Sequence, residues 1–313
     1  MLGYLIRRVL ASVPVMGVVA LFVFLLLRLT PGDPAAIIAG DVATPEQLDR
    51  IRTSLGLNEP LYEQFITWLG KILHGDLGVS LISNVPVLSM IGQRLEPTIS
   101  IALTTIILAI VVAVPLGVIA AWKQGTWIDR FVMGLSVLGF SVPVFVVGYV
   151  LVQVFAIDLH WLPVQGFRSI SKGVGPFFER AVLPTLALSF IYIALIARMT
   201  RASMLDVLGE DYVRTARAKG LAERTVLLKH ALRNAAVPVI TVIGTGFGLL
   251  ISGVVVTESV FNLPGIGRLT VDAVLARDYP VIQGVILLTS GIYVAINLLI
   301  DVAYTFLDPR IRY

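Results

Sequence analysis

The chain has 313 residues, of which 57% are hydrophobic and 14% charged, and its mean hydropathy is +0.90. A soluble domain of this size carries about a quarter charged residues, so the composition excludes that class and indicates a polytopic membrane protein. The formal net charge of +4 reads as cations gathered on the inner membrane face, with no nucleic-acid partner, and the lack of cysteine removes disulfides, thiolate metal sites and cysteine nucleophiles together.

Residues 1–29 form the N-terminus and a first span. Arg7 and Arg8 precede an apolar run, 9–29, that is longer than a signal-peptide core and is followed by no small-residue cleavage site. It reads as a retained anchor. A spanning helix needs about 20 mostly apolar residues. Further stretches of that kind are 98–121, 132–157, 182–202, 236–258 and 282–306, so the expectation is an all-α protein with six transmembrane helices and a membrane core over 98–306. An even number of spans puts both termini on one side. Cation density makes that side the inner one (N-in, C-in): Arg7, Arg8, Lys123, Arg130, the cations between 198 and 233, Arg310 and Arg312 fall on its short segments.

The outer loop, 30–97, is too polar for the membrane and too patterned for disorder. Thr44 as N-cap, Pro45 at N1 and Gln47 at N3 make a capping box. Leu48, Ile51 and Leu55 then repeat at helical spacing until Gly56. Asn58 and Pro60 start a second helix with Leu61, Phe65, Trp68, Leu69 and Ile72 as apolar positions, and Gly75 ends it. Two short amphipathic helices here either cap a pathway, form a docking platform, or lie on the lipid surface.

Several residues stand out within the spans. Thr104, Ser141, Gln153 and Asn297 are polar on otherwise apolar helices: they line a pathway or make ordinary helix contacts. Gly244 and Gly248 form a small-xxx-small face for helix packing, within the chain or toward another subunit. Asp301 is the clear intramembrane acid; it reads as a helix-end group that reaches the interface or pairs with an inner-loop arginine, ahead of a proton relay. Glu258, at the outer end of the fifth span, lines an exit or entrance or sits in water.

The inner loop, 203–235, is the long cationic stretch. Glu210 and Asp211 suit a helix N-terminus, Arg214, Arg217 and Lys219 its C-terminal end, and Gly220 the left-handed residue that closes it. A second helix follows from Glu223, with Val226, Leu227, Ala231 and Leu232 apolar and Asn234 near the start of the fifth span. The result is a rigid basic bracket that faces a soluble partner or only lipid headgroups. No Walker A, HExxH or GxSxG pattern occurs, and His74, His160 and His230 lie far apart. The chain is expected to be a conduit with no catalytic residue, no cofactor of its own and no energy source.

Recognisable motifs run along nearly the whole length: Thr30-Pro31-Gly32-Asp33-Pro34, Leu55-Gly56-Leu57 with Pro60, Gly75-Asp76-Leu77-Gly78 with Ser80, Thr215-Ala216-Arg217-Ala218-Lys219-Gly220, His230 with Arg233-Asn234, Pro238, Phe261-Asn262-Leu263-Pro264-Gly265-Ile266-Gly267, Arg277-Asp278-Tyr279-Pro280 and Asp308-Pro309-Arg310. With them the chain resembles binding-protein-dependent ABC importer permeases of the dipeptide/oligopeptide/nickel type, and among these the first of the two permeases. The Ile311-Arg312-Tyr313 ending is similar to glutathione-type permeases. The resemblance implies a type I ABC importer permease fold in a bacterial or archaeal inner membrane, with a tail at 307–313. It implies as partners a second homologous permease, two ATP-binding subunits that use ATP and magnesium, a periplasmic or lipid-anchored solute-binding protein, and membrane lipid.

The resemblance further implies that residues around 211–229 seat in a groove of an ATPase subunit. The candidate ATPase-coupling residues are therefore Asp211, Arg214, Ala216, Arg217, Lys219, Gly220 and Leu221, with His230, Arg233 and Asn234. Relative to the broader permease signature, Gly220 fits, Arg214-Thr215-Ala216 replaces Glu-Ala-Ala, and Pro238 lies five residues late. Salt-bridge partners are not carried over from sugar or metal permeases for that reason. The cargo stays open among peptides, glutathione, nickel complexes, opines and short sugars. An ion-coupled secondary transporter would show interior acids or broken helices at mirrored positions, and neither is legible; a permease homologue acting as sensor or scaffold remains a rival.

Overall fold

The computed structural model describes residues 2–29, 35, 44–54 and 56–307. The motif at 30–34, Leu55, the side chain of Gln47 and the tail at 308–313 lie outside the described residues. Helices account for all the regular elements described, apart from a single bridge between Val79 and Pro86. In chain order they are α1 (Leu2–Leu29), α2 (Pro45–Ser54), α3 (Leu61–Leu73), α4 (Val87–Trp122), α5 (Trp127–Ser141), α6 (Val144–Leu151, continued by a π-helical stretch Val152–Asp158), a 3-10 turn Ile170–Lys172 and α7 (Val174–Leu208). Then come α8 (Asp211–Ala218), α9 (Glu223–Thr225), a π-helical stretch Val226–Ala231, α10 (Leu232–Gly253), α11 (Val255–Val260), α12 (Ile266–Leu275) and α13 (Tyr279–Leu307).

Among the described residues, five helices are long and apolar enough to cross a membrane: Ile6–Leu26 within α1, α4, α7, the rod Glu223–Ile251 and Tyr279–Thr305 within α13. The expected span at 132–157 is different. It is a pair, Trp127–Ser141 and Val144–Asp158, bent by 98°. Pro143 has no amide hydrogen to continue the helix, and its ring holds Val142 in an extended conformation (φ −93°, ψ 120°). Counted as one broken span, the pair brings the total to six.

Hydropathy marked only the lipid-immersed part of each rod. α4 begins at Val87 rather than 98, and α7 begins at Val174 rather than 182 and runs on to Leu208. The second inner-loop helix is not separate, because α9 and its π-helical turn pass directly into α10. Polar residues such as Gln93, Arg94, Arg198 and Arg201 are good helix formers, so helices outlast their apolar stretches.

Without a hydrophobic drive between helices in lipid, close packing of small residues holds the bundle together. α4 and α7 meet through buried Ala102, Ala109, Ala113, Ala181, Ala187 and Ala197. A Cβ on Gly117 would stand 2.6 Å from the Cβ of Thr200, so the helices touch backbone to backbone there. α13 packs on α1, where Gln283 Nε2 donates to Val23 O at 3.0 Å. Asp301 pairs with Arg8 of α1 at 3.3 Å, which replaces the expected inner-loop arginine.

The outer-loop helices end at Gly56 and Gly75, both at positive φ, as their spacing predicts. α3 stands on the end of α1: Phe24 meets Phe65 and Trp68 with ring centroids 5.2 and 5.5 Å apart, and Arg28 donates to Gln64 Oε1 at 2.9 Å. At one end of the bundle, Val118 and Ala121 of α4, Met204 of α7 and Leu227, Ala231 and Ala235 form a buried cluster beneath the inner loop. At the other end, α4, α11 and α12 meet around Glu258.

Candidate functional site

At the loop end, α8 hangs from the last turn of α7. Val213 and Ala216 are buried against Val226, Val207 and Leu208, which leaves Asp211, Arg214, Thr215, Arg217 and Ala218 on the exposed face. The eight-residue helix is too short to hold itself in water, so its stability comes from this seat and three fastenings. Gly220 is the first. At φ +77° it lets Leu221 N–H reach Ala216 O and its own N–H reach Arg217 O, the six-to-one and five-to-two bonds of a Schellman end. No atom lies within 4 Å of where its Cβ would stand, so the glycine serves conformation and not space. Arg217 supplies the second, donating to both oxygens of Glu223 at 2.8 and 3.3 Å across the turn. Asn234 Nδ2 supplies the third, donating to the Tyr212 hydroxyl at 2.7 Å and to His230 O at 3.1 Å, which ties α8 to α10.

The predicted coupling residues therefore divide. Asp211, Arg214, Lys219, Gly220, Leu221 and Arg233 are exposed, Ala216 is part of the seat, and Arg217 and Asn234 brace it. His230 is half-buried in the π-helical turn. The Arg214–Asp211 contact, 3.4 Å between well-exposed groups, adds little to stability.

Beside the seat, Arg201 of α7 grips buried Asp129 of α5 with two bonds of 2.5 and 2.8 Å, and Asp129 also accepts from Gly125 N at 2.9 Å. This clamp fixes the α4–α5 turn to α7. Sequence reading missed it. Asp129 sits in the first turn after Gly125-Thr126, the one local hint, but its partner lies 72 residues away.

At the opposite end Glu258 is 2% exposed, so it neither sits in water nor faces an open mouth. Its Oε1 accepts from Thr98 Oγ1 at 2.8 Å and its Oε2 from Arg268 N at 2.8 Å, while Thr98 Oγ1 accepts from Ile266 N at 2.9 Å. The carboxylate and the hydroxyl thus satisfy the first amides of α12, where a negative charge suits the helix dipole. Gly265 makes this possible, since a Cβ there would lie 1.9 Å from Glu258 Oε1. Nearby, buried Asp278 accepts from the Ser80 hydroxyl and from Leu81 N at 3.1 Å, which seats the loop after α3 on the α12–α13 turn. Two of the motifs that carried the family resemblance meet in that contact.

The candidate pathway residues are not brought together. Thr104 bonds Thr185 of α7 at 2.8 Å, Ser141 and Asn297 bond carbonyls of their own helices, and Gln153 bonds Asp158 at 2.8 Å. Gly244 and Gly248 receive Ile300 and Tyr293 of α13, an intramolecular contact. Among the described residues no group of His, Asp or Glu is arranged to hold a metal ion.

Residues 113–313 match the family described as binding-protein-dependent transport system inner membrane component, and residues 1–102 match its N-terminal counterpart. The chain is 56% identical over 310 residues, 99% of both chains, to the probable peptide ABC transporter permease protein y4tP of Sinorhizobium fredii. It is 45% identical over 313 residues, the full length of both, to the glutathione transport system permease protein GsiC of Escherichia coli. Among solved structures it resembles a chain of the MetNI methionine ABC transporter in inward-facing conformations, with a TM-score of 0.58 and 15% identity, covering 71% of this chain and 97% of that one. That likeness concerns the fold alone.

Proposed function

We propose, from the premise that the chain belongs to the family of inner-membrane components of binding-protein-dependent transport systems, that it is the first of two permeases in a peptide-type importer. As a family member it is a multi-pass permease subunit of an ABC importer. The proposed cargo is a di- or oligopeptide, a glutathione-like peptide or a similar small solute, in keeping with the names of its relatives. A second related permease completes the pathway, a solute-binding protein delivers the cargo, and two separate subunits hydrolyse ATP.

The observation that carries the mechanism is the fastening of α8. Its outer face is exposed and carries Arg214 and Arg217, while its apolar face is seated on α7, Arg217–Glu223 joins it to α9 and Tyr212–Asn234 joins it to α10. In this reading an ATP-binding subunit grips the exposed face, and its closure moves α8, α7 and the Glu223–Ile251 rod as one piece. The motion reaches the far end through α11, whose Glu258 holds α4 and α12 together. ATP favours one arrangement only through differential affinity for it.

Gly220→Pro tests this. Proline fixes φ near −65° and removes the amide that bonds Arg217 O. The variant is expected to insert and assemble yet lose cargo-stimulated ATP hydrolysis; normal stimulation would sink the coupling role.

A further inference from the structure

We infer that the cavity at the end of the bundle opposite the inner loop is a binding site for the two charged ends of a short zwitterionic peptide, an inference that rests on the peptide-import reading above. The cavity, about 550 Å³, lies between the first turns of α4, the loop that leads into α7, and Pro264. Glu96 stands on its rim with Arg168 and Lys172, and Pro97, Phe167 and Pro264 supply apolar wall.

The charges are exposed and, among the described residues, none of the three takes part in an ion pair within 4.0 Å or in a hydrogen bond through its side chain. A carboxylate and two cations thus share one cavity without neutralising each other. The walls that hold them apart are fixed. Pro97 adjoins Thr98 and Pro264 adjoins Gly265, both at the buried Glu258 carboxylate. Gly166 N bonds Phe261 O at 3.0 Å, and Arg180 bonds Gln165 O at 2.6 Å, which anchors the loop carrying Phe167 and Arg168. Phe167 itself packs edge-on against Phe177 at 6.1 Å.

The chemistry selects the ligand. A simple anion would be opposed by Glu96, and a simple cation by Arg168 and Lys172. A molecule with an ammonium at one end, a carboxylate at the other and an apolar side chain between them satisfies all three charges and the wall. A cavity of this volume is roughly 8–10 Å across, enough for two extended residues at about 3.3–3.6 Å each.

The test uses the whole transporter, both permeases with both ATP-binding subunits, in lipid nanodiscs without the binding protein. Equilibrium dialysis is run with the radiolabelled dipeptide Ala-Phe and with its N-acetyl and C-amide forms. Each blocked end is expected to weaken binding about tenfold, the worth of one charge-assisted contact. Glu96→Gln should weaken the zwitterion to the same degree and leave the N-acetyl form unchanged. Arg168→Gln with Lys172→Gln should weaken it and leave the C-amide form unchanged, and Arg168→Lys alone should retain binding. Equal binding of the three forms, or variants that bind the dipeptide normally, overturns the site. So does a complex that imports the dipeptide with its binding protein yet binds none without it. Variants that lose affinity only for the binding protein make the cavity a docking surface instead, which also overturns it. Failure of the complete system to import the dipeptide overturns the peptide reading beneath it.

Discussion

Alanine at position 265 places a methyl group where the Glu258 carboxylate now lies, 1.9 Å from Oε1 and 2.1 Å from Cδ. The backbone there is extended (φ −103°, ψ 178°), so alanine meets no conformational penalty and the effect is purely steric. Either α12 moves or the carboxylate leaves its bonds to Thr98 and Arg268 N. Two charge-assisted hydrogen bonds at about 1.5–3 kcal/mol each set the loss near ~4 kcal/mol. Glu258→Ala alone frees the space but strands the Arg268 amide, at about 1–3 kcal/mol. The double variant then has room for the methyl group, so it should cost little more than Glu258→Ala, leaving a coupling of roughly 3 kcal/mol in the cycle. The assay is apparent melting of the purified protein in detergent, followed by loss of monodisperse material. Wild-type melting of Gly265→Ala, or strictly additive losses in the double variant, would refute the packing described around Glu258.

Asp129→Asn should lower the melting temperature, with a loss of about 1–2 kcal/mol once the partial exposure of Arg201 is discounted. The swap Asp129→Arg with Arg201→Asp should recover part of it, and a swap no better than the single variant would speak against a direct clamp. Gly244→Ala drives a Cβ to 2.2 Å from Ile300 Cδ1 and should cost about 1–3 kcal/mol by overpacking. Adding Ile300→Ala should restore stability; unchanged melting of Gly244→Ala alone would contradict the α10–α13 contact.

What could be read from the chain follows from how local each signal is. The ends of α2, α3 and α8 were legible because a glycine at C′ is a one-residue code, and Gly56, Gly75 and Gly220 all take positive φ. The basic bracket was legible from charge alone. Its bracing was not, since Tyr212 and Asn234 meet only after the chain turns back across 22 residues. Glu258 was misplaced for a related reason. An acid at the end of an apolar run looks solvated until Thr98 and Arg268 N are brought to it, 160 and 10 residues away. The bend at Pro143 was not legible because a proline within a span is commonly accommodated without one; here the missing Pro143 amide and the extended Val142 before it turn the chain by 98°. The α9–α10 continuity escaped hydropathy because amphipathic and apolar turns of one helix differ in composition, not in backbone.

The account stands on α8 as the contact with an ATP-binding subunit. The native chain has no cysteine, so single cysteines at Arg214 and Ala218, both on the exposed face of α8, can be cross-linked in native membranes with a short bifunctional thiol–amine reagent. A control cysteine at Val111, 64% exposed on α4, reports the membrane-facing side. The account predicts that both α8 positions join an ATP-binding subunit and that Val111 does not. Free labelling of both α8 cysteines with no protein cross-link, in membranes where uptake is intact, would contradict it.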